Sequence, residues 1–224
     1  MLLFHGSQYI IKQPEYGKGK KNNDYGQGFY CTPHIELAKE WACADEYDGY
    51  ANIYNLNTEA LQILNLRAKE YSILHWLTLL LKYRSFRLTN PIAKDAKAFL
   101  LERFSLNTEA YDVIIGNRAD DSYFSFAEDF LNNAISIAKL KKAMALGDLG
   151  EQIVLKSPLA FRQLEFLGSE PALREEYLAP KKLRDYLARK AYLTSNRKNS
   201  YSRKDLYIMD ILRQEVKSDD PRLF

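Results

Sequence analysis

The chain opens with Met1-Leu2-Leu3-Phe4-His5-Gly6-Ser7 and, twenty positions after His5, continues with Tyr25-Gly26-Gln27-Gly28-Phe29-Tyr30-Cys31-Thr32. Residues 1–5 are short and apolar, which is typical of a buried strand. Residues 28–32 predict a second strand, with aromatic residues at its centre. These two stretches therefore predict that the fold starts with a pair of strands.

A loop and a helix complete this beginning. Residues 14–25 are rich in Gly, Lys and Asn, which predicts a loop between the two strands. Pro33 opens a predicted helix that runs to about Ala44, since proline fits the first turn of a helix. Trp41 lies on that helix.

Strands and helices alternate irregularly along the rest of the chain. Residues 111–116, Tyr-Asp-Val-Ile-Ile-Gly, are the clearest strand, because they are β-branched and end at a glycine. Residues 72–83 and 95–104 carry apolar stripes at helical spacing, and residues 85–94 are interpreted as a connection. The irregular order predicts an α+β domain rather than a doubly wound parallel sheet. The other predicted elements are strands at 51–56, 61–66, 151–156 and 164–167, helices at 123–132 and 136–146, a helical turn at 158–161 and helical chain from Pro171.

The positive charge is distributed unevenly along the chain. Residues 1–170 are predicted to form the domain, and residues 171–224 a helical, basic extension. Between Lys181 and Lys204 there are nine Lys/Arg residues against one acid, Asp185, although the whole chain carries a net charge of only +3. Such a segment is either a solvated helix face and linker or a contact for a polyanion.

Several classes of protein are excluded by composition and motif. Two cysteines twelve positions apart provide neither a disulfide framework nor a paired zinc-ligand spacing. Neither a signal peptide nor a membrane-length apolar run is present, so a soluble, cytoplasmic protein without a membrane partner is expected. The three histidines offer no metal site, and no phosphate loop, dinucleotide fingerprint or nucleophile elbow occurs.

The remaining constellation suits nicotinamide chemistry. It consists of His5-Gly6-Ser7, the Gly28-Phe29-Tyr30 strand, Trp41, and Glu151-Gln152 at the start of a later strand. A carboxamide needs one donor and one acceptor, and a glycine backbone supplies both at close approach. The ring needs aromatic faces, and the ribose hydroxyls need a histidine and a carboxylate or amide.

These residues resemble the His-Tyr-Glu class of ADP-ribosyltransferases, the class of diphtheria toxin and the poly(ADP-ribose) polymerases. The string from Tyr25 to Tyr30 is similar to the polymerases' second motif. With Tyr111 to Gly116, Ala119-Asp120-Asp121 and Gln152-Ile153, the pattern also resembles a bacterial family catalogued mainly as a domain of unknown function in the same superfamily. The resemblance covers about residues 1–168 and implies a split mixed β-sheet with flanking helices.

The resemblance also implies roles for individual residues, with NAD⁺ as the substrate. Gly6 would hold the nicotinamide amide, His5 the adenine-side ribose, and Tyr30 and Trp41 would enclose the nicotinamide ring. The neighbouring Ser7 and Gly28 belong to the same motifs.

The third position of the class departs from the family pattern. The family places a Glu there, whereas the match in this chain is Gln152, with Glu151 beside it. An amide can hydrogen-bond a ribose but cannot supply negative charge where positive charge develops. It also cannot act as a base toward a second ribose. If Gln152 is the third member, mono-ADP-ribosylation or NAD⁺ hydrolysis is favoured over chain elongation. Since neighbouring strand residues point to opposite faces, Glu151 and Gln152 cannot both face the site without a bulge.

Three hypotheses remain at the level of the sequence. The first is a mono-ADP-ribosyltransferase for an unknown protein or nucleic-acid acceptor, which by resemblance would be a bacterial toxin with an antitoxin partner or part of a phage-defence pair. The second is a non-catalytic module that binds NAD⁺ or ADP-ribose. The third is an interaction protein whose residues 181–204 bind nucleic acid. Asp120-Asp121 are either a helix cap or a substrate contact.

Overall fold

The computed structural model describes residues 1–119, 121–144, 150–198 and 205–224, with the backbone alone at 121, 122 and 195–198. The chain forms two compact units, and each is assembled from separated stretches of sequence. The first unit contains Met1–Asn65, Asn107–Arg118 and Gly150–Tyr186, and the second contains Leu66–Leu106, Ala119–Leu149 and Leu187–Phe224.

The first unit carries the strands, which form two sheets among the described residues. The strands are β1 Leu2–Ser7, β2 Phe29–Cys31, β3 Gly49–Leu56, β4 Ile63–Asn65, β5 Val113–Asn117, β6 Glu151–Leu155 and β7 Leu164–Ala172. One sheet has the order β1-β3-β7 and is antiparallel. The other has the order β2-β6-β5-β4 and is mixed, because β4 and β5 run parallel.

Alternation along β1 assigns its residues to two apolar clusters. Leu3 joins Cys31, Leu56 and Ile153 in a cluster that includes residues of both sheets. Phe4, one residue later, packs instead with Ala38 of helix α1 (Ile35–Ala42) and with Ala51 of β3. This period of two places α1 on one face of the first sheet.

The second unit is helical over its described residues. Its helices are α2 Ile73–Tyr83, α3 Pro91–Arg103, α4 Asp121–Leu131, α5 Ile137–Met144 and α8 Ile208–Arg213. The short helix α6 (Pro158–Arg162) belongs to the first unit, and α7 (Arg174–Lys198) contributes residues to both. Tyr192 of α7 stacks on Phe126 of α4, with ring centroids 3.9 Å apart, and its hydroxyl donates to Asp129.

The α+β prediction is confirmed, but some element bounds differ from the prediction. Helix α3 begins at Pro91, inside the predicted connection of residues 85–94, because the Asn90 side chain accepts a hydrogen bond from the Ala93 N–H and caps the first turn. Strand β7 continues to Ala172, well past the predicted end at 167, since it pairs with the whole of β3. The end predicted for α5 at residue 146 lies outside the described residues.

The division into a domain of residues 1–170 and an extension of residues 171–224 stays a prediction. No helix in the described part of the chain is both long enough and apolar enough to cross a membrane.

Buried His75 provides a test of acid sensitivity. Burial lowers the pKa of His75 from its ordinary value of 6.5, and its Nδ1 accepts a hydrogen bond from the Ser72 N–H at 3.0 Å. Below pH 6.5, His75 therefore binds a proton in the unfolded chain but stays neutral in the folded chain. The free energy of unfolding should fall as pH drops from 6.5 toward the lowered pKa, by about 1.4 kcal/mol for each unit of the shift.

The matched variant is His75→Gln, which keeps an acceptor for Ser72 but does not titrate. Urea unfolding at pH 7.5 and pH 5.5 should show a smaller acid loss in this variant than in the wild type. His34→Gln, at an exposed position, serves as the control and should retain the wild-type loss. Equal losses in the wild type and His75→Gln would contradict the prediction.

Candidate functional site

The candidate site lies where β1 and β2 separate. Phe4 and Thr32 pair through two main-chain hydrogen bonds of 2.9 Å, which join the two strands at one point. In an antiparallel pair, the main-chain groups of alternate residues face the same side. Gly6, two residues after Phe4, therefore directs its N–H and C=O toward β2, where Tyr30 would be its partner in a continued ladder.

The side chain of His5 ends that ladder. His5 Nδ1 lies 2.6 Å from the carbonyl oxygen of Tyr30, so Nδ1 donates and Nε2 of the neutral ring keeps its lone pair. The imidazole also stacks on Phe29 of β2, with ring centroids 4.2 Å apart. Burial lowers the pKa of His5, which keeps the ring neutral near pH 7. His5 thus takes the acceptor that the Gly6 N–H would otherwise use.

Gly6 is left with a free donor and a free acceptor. Because the main-chain groups of Phe4 and Gly6 face β2, the β1–β3 ladder does not use them, and outside that ladder neither group of Gly6 has a hydrogen-bond partner among the described residues. A Cβ at Gly6 would lie 2.0 Å from the Ala38 oxygen and 2.8 Å from the Ala42 nitrogen, so α1 packs directly on this backbone. The adjacent N–H and C=O match the two hydrogen-bonding groups of a primary carboxamide.

Hydrogen bonds with the main chain of the preceding loop fix Tyr30. Its hydroxyl donates to the Gly26 oxygen at 2.6 Å and accepts from the Tyr25 N–H at 3.0 Å. Lys156 Nζ donates to the oxygens of Tyr25 and Gln27, both at 2.8 Å. Gly26 has a φ of +77°, a conformation that favours glycine. The phenol is therefore held against the loop that precedes β2.

Trp41 lies on α1, next to the residues of that helix that pack on Gly6 of β1. It is one helical turn from Ala38, the residue that packs on Gly6, so the two share a helix face. The Arg118 guanidinium lies over the Trp41 ring, 4.5 Å from its centroid. Trp41 Nε1 is buried and has no acceptor among the described residues. Because Arg118 covers one face of the indole, a ligand ring that stacks on Trp41 must use the opposite face.

The strand register places Glu151 and Gln152 on opposite faces of their sheet. Gln152 pairs with Gly116, and Val154 pairs with Tyr30. Since directly paired residues share a face and the period is two, Gln152 lies on the same face of its sheet as Tyr30. The pairing of β5 with β6 runs without a shift, so no bulge turns Glu151 toward that face.

The Gln152 side chain is buried but not fully satisfied. It is 7% exposed, and its Oε1 has no hydrogen-bond partner among the described residues. A Cβ on Gly116 would lie 2.2 Å from the Tyr25 hydroxyl, so Tyr25 covers the strand next to Gln152. A buried amide oxygen without a donor is costly, which suggests that a ligand or water donates to it.

The remaining motif residues have structural roles. Ser7 Oγ accepts a hydrogen bond from the Tyr9 N–H at 3.1 Å and shapes the chain after β1. A Cβ on Gly28 would lie 2.6 Å from Val154 Cγ1, so glycine allows β2 to approach β6. A direct contact of either residue with NAD⁺ stays a prediction.

The start of the basic segment makes intramolecular contacts in the first unit. Lys181 Nζ donates to the Cys43 oxygen at 3.1 Å, and Arg184 Nη2 lies 2.7 Å from Glu40 Oε1. Lys182 pairs with Asp45. Residues 199–204 lie outside the described residues, as does Asp120, and Asp121 is described by its backbone at the start of α4. Nucleic-acid binding by residues 181–204 stays a prediction.

Two residues of the site were not predicted from the sequence. Arg118 follows the β5 strand and reaches Trp41, and Lys156 follows β6 and reaches the loop before β2. Each contact spans more than 70 positions of sequence, and neither residue belongs to a motif. Only the pairing of β5 and β6 brings them to the site.

A comparison with family models identifies one family. Residues 1–166 match the model described as a protein of unknown function, DUF3990. No curated protein and no solved structure gives a significant match. The matched region covers most of the chain and includes every residue of the candidate site. The chain therefore belongs to the DUF3990 family.

Proposed function

We propose that this chain is a mono-ADP-ribosyltransferase of ADP-ribosyltransferase-like fold, which binds NAD⁺ where β1 and β2 separate. The observation that carries the proposal is the Gly6 main chain, whose N–H and C=O have no hydrogen-bond partner among the described residues, with His5 occupying the Tyr30 oxygen that the N–H would use. A free donor and acceptor beside two aromatic side chains suit a nicotinamide carboxamide and its ring.

Gly6, Tyr30 and Trp41 would hold the leaving group. The Gly6 N–H would donate to the carboxamide oxygen, and the Gly6 oxygen would accept from its amide nitrogen. Tyr30 is fixed through Gly26 and Tyr25, so a ring that stacks on it is placed with little further loss of entropy. Trp41 would supply the second wall through the face opposite Arg118.

His5 and Gln152 would hold the ribose hydroxyls. His5 Nε2 keeps a lone pair for a hydroxyl donor, because Nδ1 already donates to Tyr30. Gln152 Oε1, buried and without a partner among the described residues, would accept from a second hydroxyl. The Gln152 contact would orient the nicotinamide ribose for transfer, and the His5 contact would hold the adenine-side ribose.

The proposed reaction breaks the bond between nicotinamide nitrogen and ribose C1′. Nicotinamide leaves with the electron pair, an acceptor nucleophile forms the new bond to C1′, and the nucleophile's proton is lost. The amide of Gln152 stabilises the developing positive charge less than a carboxylate would. It also cannot deprotonate a second ribose, so we propose transfer of a single ADP-ribose or hydrolysis, without chain growth.

Turnover and binding in position 152 variants test the proposal. Purified full-length chain is incubated with labelled NAD⁺ and a cell lysate; nicotinamide release, label transfer and NAD⁺ affinity are measured. Gln152→Ala should lower turnover about tenfold to a hundredfold, as expected for one lost buried hydrogen bond in the transition state, with a much smaller change in affinity. Gln152→Glu should raise the rate of nicotinamide release, because it places negative charge beside the ribose.

Glu151→Gln is the matched control, since Glu151 lies on the other strand face, and it should keep wild-type turnover. If the chain does not bind NAD⁺, the proposal fails entirely. If it binds NAD⁺ but neither releases nicotinamide nor transfers label, it is a binding module rather than an enzyme. A large loss in Glu151→Gln with none in Gln152→Ala would move the third position to Glu151.

A further inference from the structure

The loop between β1 and β2 carries a positive surface that the proposed NAD⁺ site does not use. Four lysines of this loop are exposed: Lys12, Lys18, Lys20 and Lys21. Of the acids in the same stretch, Glu15 lies 3.6 Å from Lys18, and Asp24 is buried at 3% exposure. Loops of this length without secondary structure are usually either functional or disordered segments.

Aromatic side chains stand among these lysines. Tyr9 is 68% exposed and Tyr16 is 58% exposed. Tyr16 touches Phe161 edge to face, with ring centroids 5.6 Å apart, which holds the ring while most of the side chain stays in solvent. Exposed flat rings beside lysines are the surface on which unpaired bases stack while their phosphates are neutralised.

Two side-chain amides hold this loop in place. Asn52 Nδ2 donates to the Tyr9 oxygen at 3.0 Å, and Asn52 Oδ1 accepts from the Ile11 N–H at 2.8 Å. At the other end of the loop, Gln27 Nε2 donates to the oxygens of Gly17 and Gly19, at 2.5 and 2.9 Å. An ordered surface loses less entropy on binding than a flexible one.

The loop also begins and ends at the proposed site. It starts directly after β1, which carries Gly6, and ends at β2, which carries Tyr30. Asn52 Nδ2 additionally donates to the His5 oxygen at 3.3 Å, so one side chain ties the loop to β1. A chain bound on the loop therefore lies next to the strands that would hold NAD⁺.

We propose that residues 8–21 bind single-stranded nucleic acid and present it as the acceptor. The lysines contact phosphates, and Tyr9 and Tyr16 stack on bases. A duplex hides its base faces, and an acidic protein would use the lysines without needing the flat rings. The acceptor role rests on the proposed function: a nucleophilic nitrogen or oxygen of the nucleic acid bonds to ribose C1′, nicotinamide leaves, and the nucleophile's proton passes to solvent.

Binding is tested first, without NAD⁺, by fluorescence anisotropy of labelled 20-nucleotide single-stranded RNA and DNA. Affinity should fall as salt rises. Tyr9→Ala and Tyr16→Ala should each weaken binding about tenfold, and the Lys20→Glu/Lys21→Glu variant should weaken it and flatten the salt dependence. The matched control is Lys69→Glu/Lys94→Glu, at exposed lysines of the second unit, which should bind within twofold of wild type.

Three results would overturn nucleic-acid binding: no salt-dependent affinity, unchanged affinity in both tyrosine variants, or equal affinity for a duplex. The acceptor role is tested next with labelled NAD⁺, and label should appear on the single strand. Labelling of lysate proteins alone would overturn the acceptor role and leave the transferase proposal standing. Strand binding without NAD⁺ binding would overturn the transferase proposal and the acceptor role, while the nucleic-acid surface stands.

Discussion

Replacing Gly6 by alanine is expected to cost about 3 kcal/mol of folding free energy and to abolish NAD⁺ binding. The new Cβ would lie 2.0 Å from the Ala38 oxygen and 2.8 Å from the Ala42 nitrogen, both main-chain atoms of α1. A backbone cannot move aside as the end of a flexible side chain can. Helix α1 and β1 must therefore move apart, which displaces the N–H and C=O of residue 6 relative to α1 and Trp41.

The measurement is thermal unfolding of the wild type and the Gly6→Ala variant, followed by titration with NAD⁺. At about 2–4 °C per kcal/mol for a chain of this size, Tm should fall by about 10 °C. Gly168→Ala is the matched control, since Gly168 lies on β7 and its Cβ would meet nothing within 4 Å. That variant should unfold at or slightly above the wild-type temperature. A Gly6→Ala variant as stable as Gly168→Ala would show that α1 is not packed on this backbone.

Replacing His5 by asparagine is expected to remove most NAD⁺ binding while leaving the fold in place. The Asn amide can donate to the Tyr30 oxygen as Nδ1 of the imidazole does, but it has no group at the position of Nε2. A lost hydrogen bond in a buried site corresponds to about 1–3 kcal/mol, which is roughly a tenfold to hundredfold loss of affinity.

His5→Phe separates the two functions of the ring. Phenylalanine keeps the stacking on Phe29 but leaves the Tyr30 oxygen without its donor. It should lower the free energy of unfolding by about 1–3 kcal/mol and should also lose NAD⁺ binding. His34→Asn, at an exposed position, should change neither quantity. Wild-type affinity in a folded His5→Asn variant would show that His5 only interrupts the pairing of β1 with β2 and does not contact NAD⁺.

Local patterns predicted most elements of this fold. Three patterns correctly predicted their elements: the apolar stretch before His5, the β-branched run at residues 111–116 and the helical stripe at residues 72–83. The predicted start of α3 was wrong, because the prediction followed the apolar spacing whereas the Asn90 cap sets where the helix begins. The end of β7 was wrong because pairing with β3, rather than local sequence, sets its length.

The sequence by itself determined the α+β class and predicted most residues of the candidate site, among them His5, Tyr30 and Gln152. Those properties depend on side-chain type and short-range spacing, which can be read along the chain. Only the tertiary structure decided that His5 separates β1 from β2, that Gln152 rather than Glu151 shares a face with Tyr30, and that Arg118 covers Trp41. These outcomes depend on strand register and on contacts between residues far apart in sequence. The free N–H and C=O of Gly6 also depend on that register. Every non-proline residue carries the same main-chain donor and acceptor, so the sequence alone does not show which of them lack a partner among the described residues.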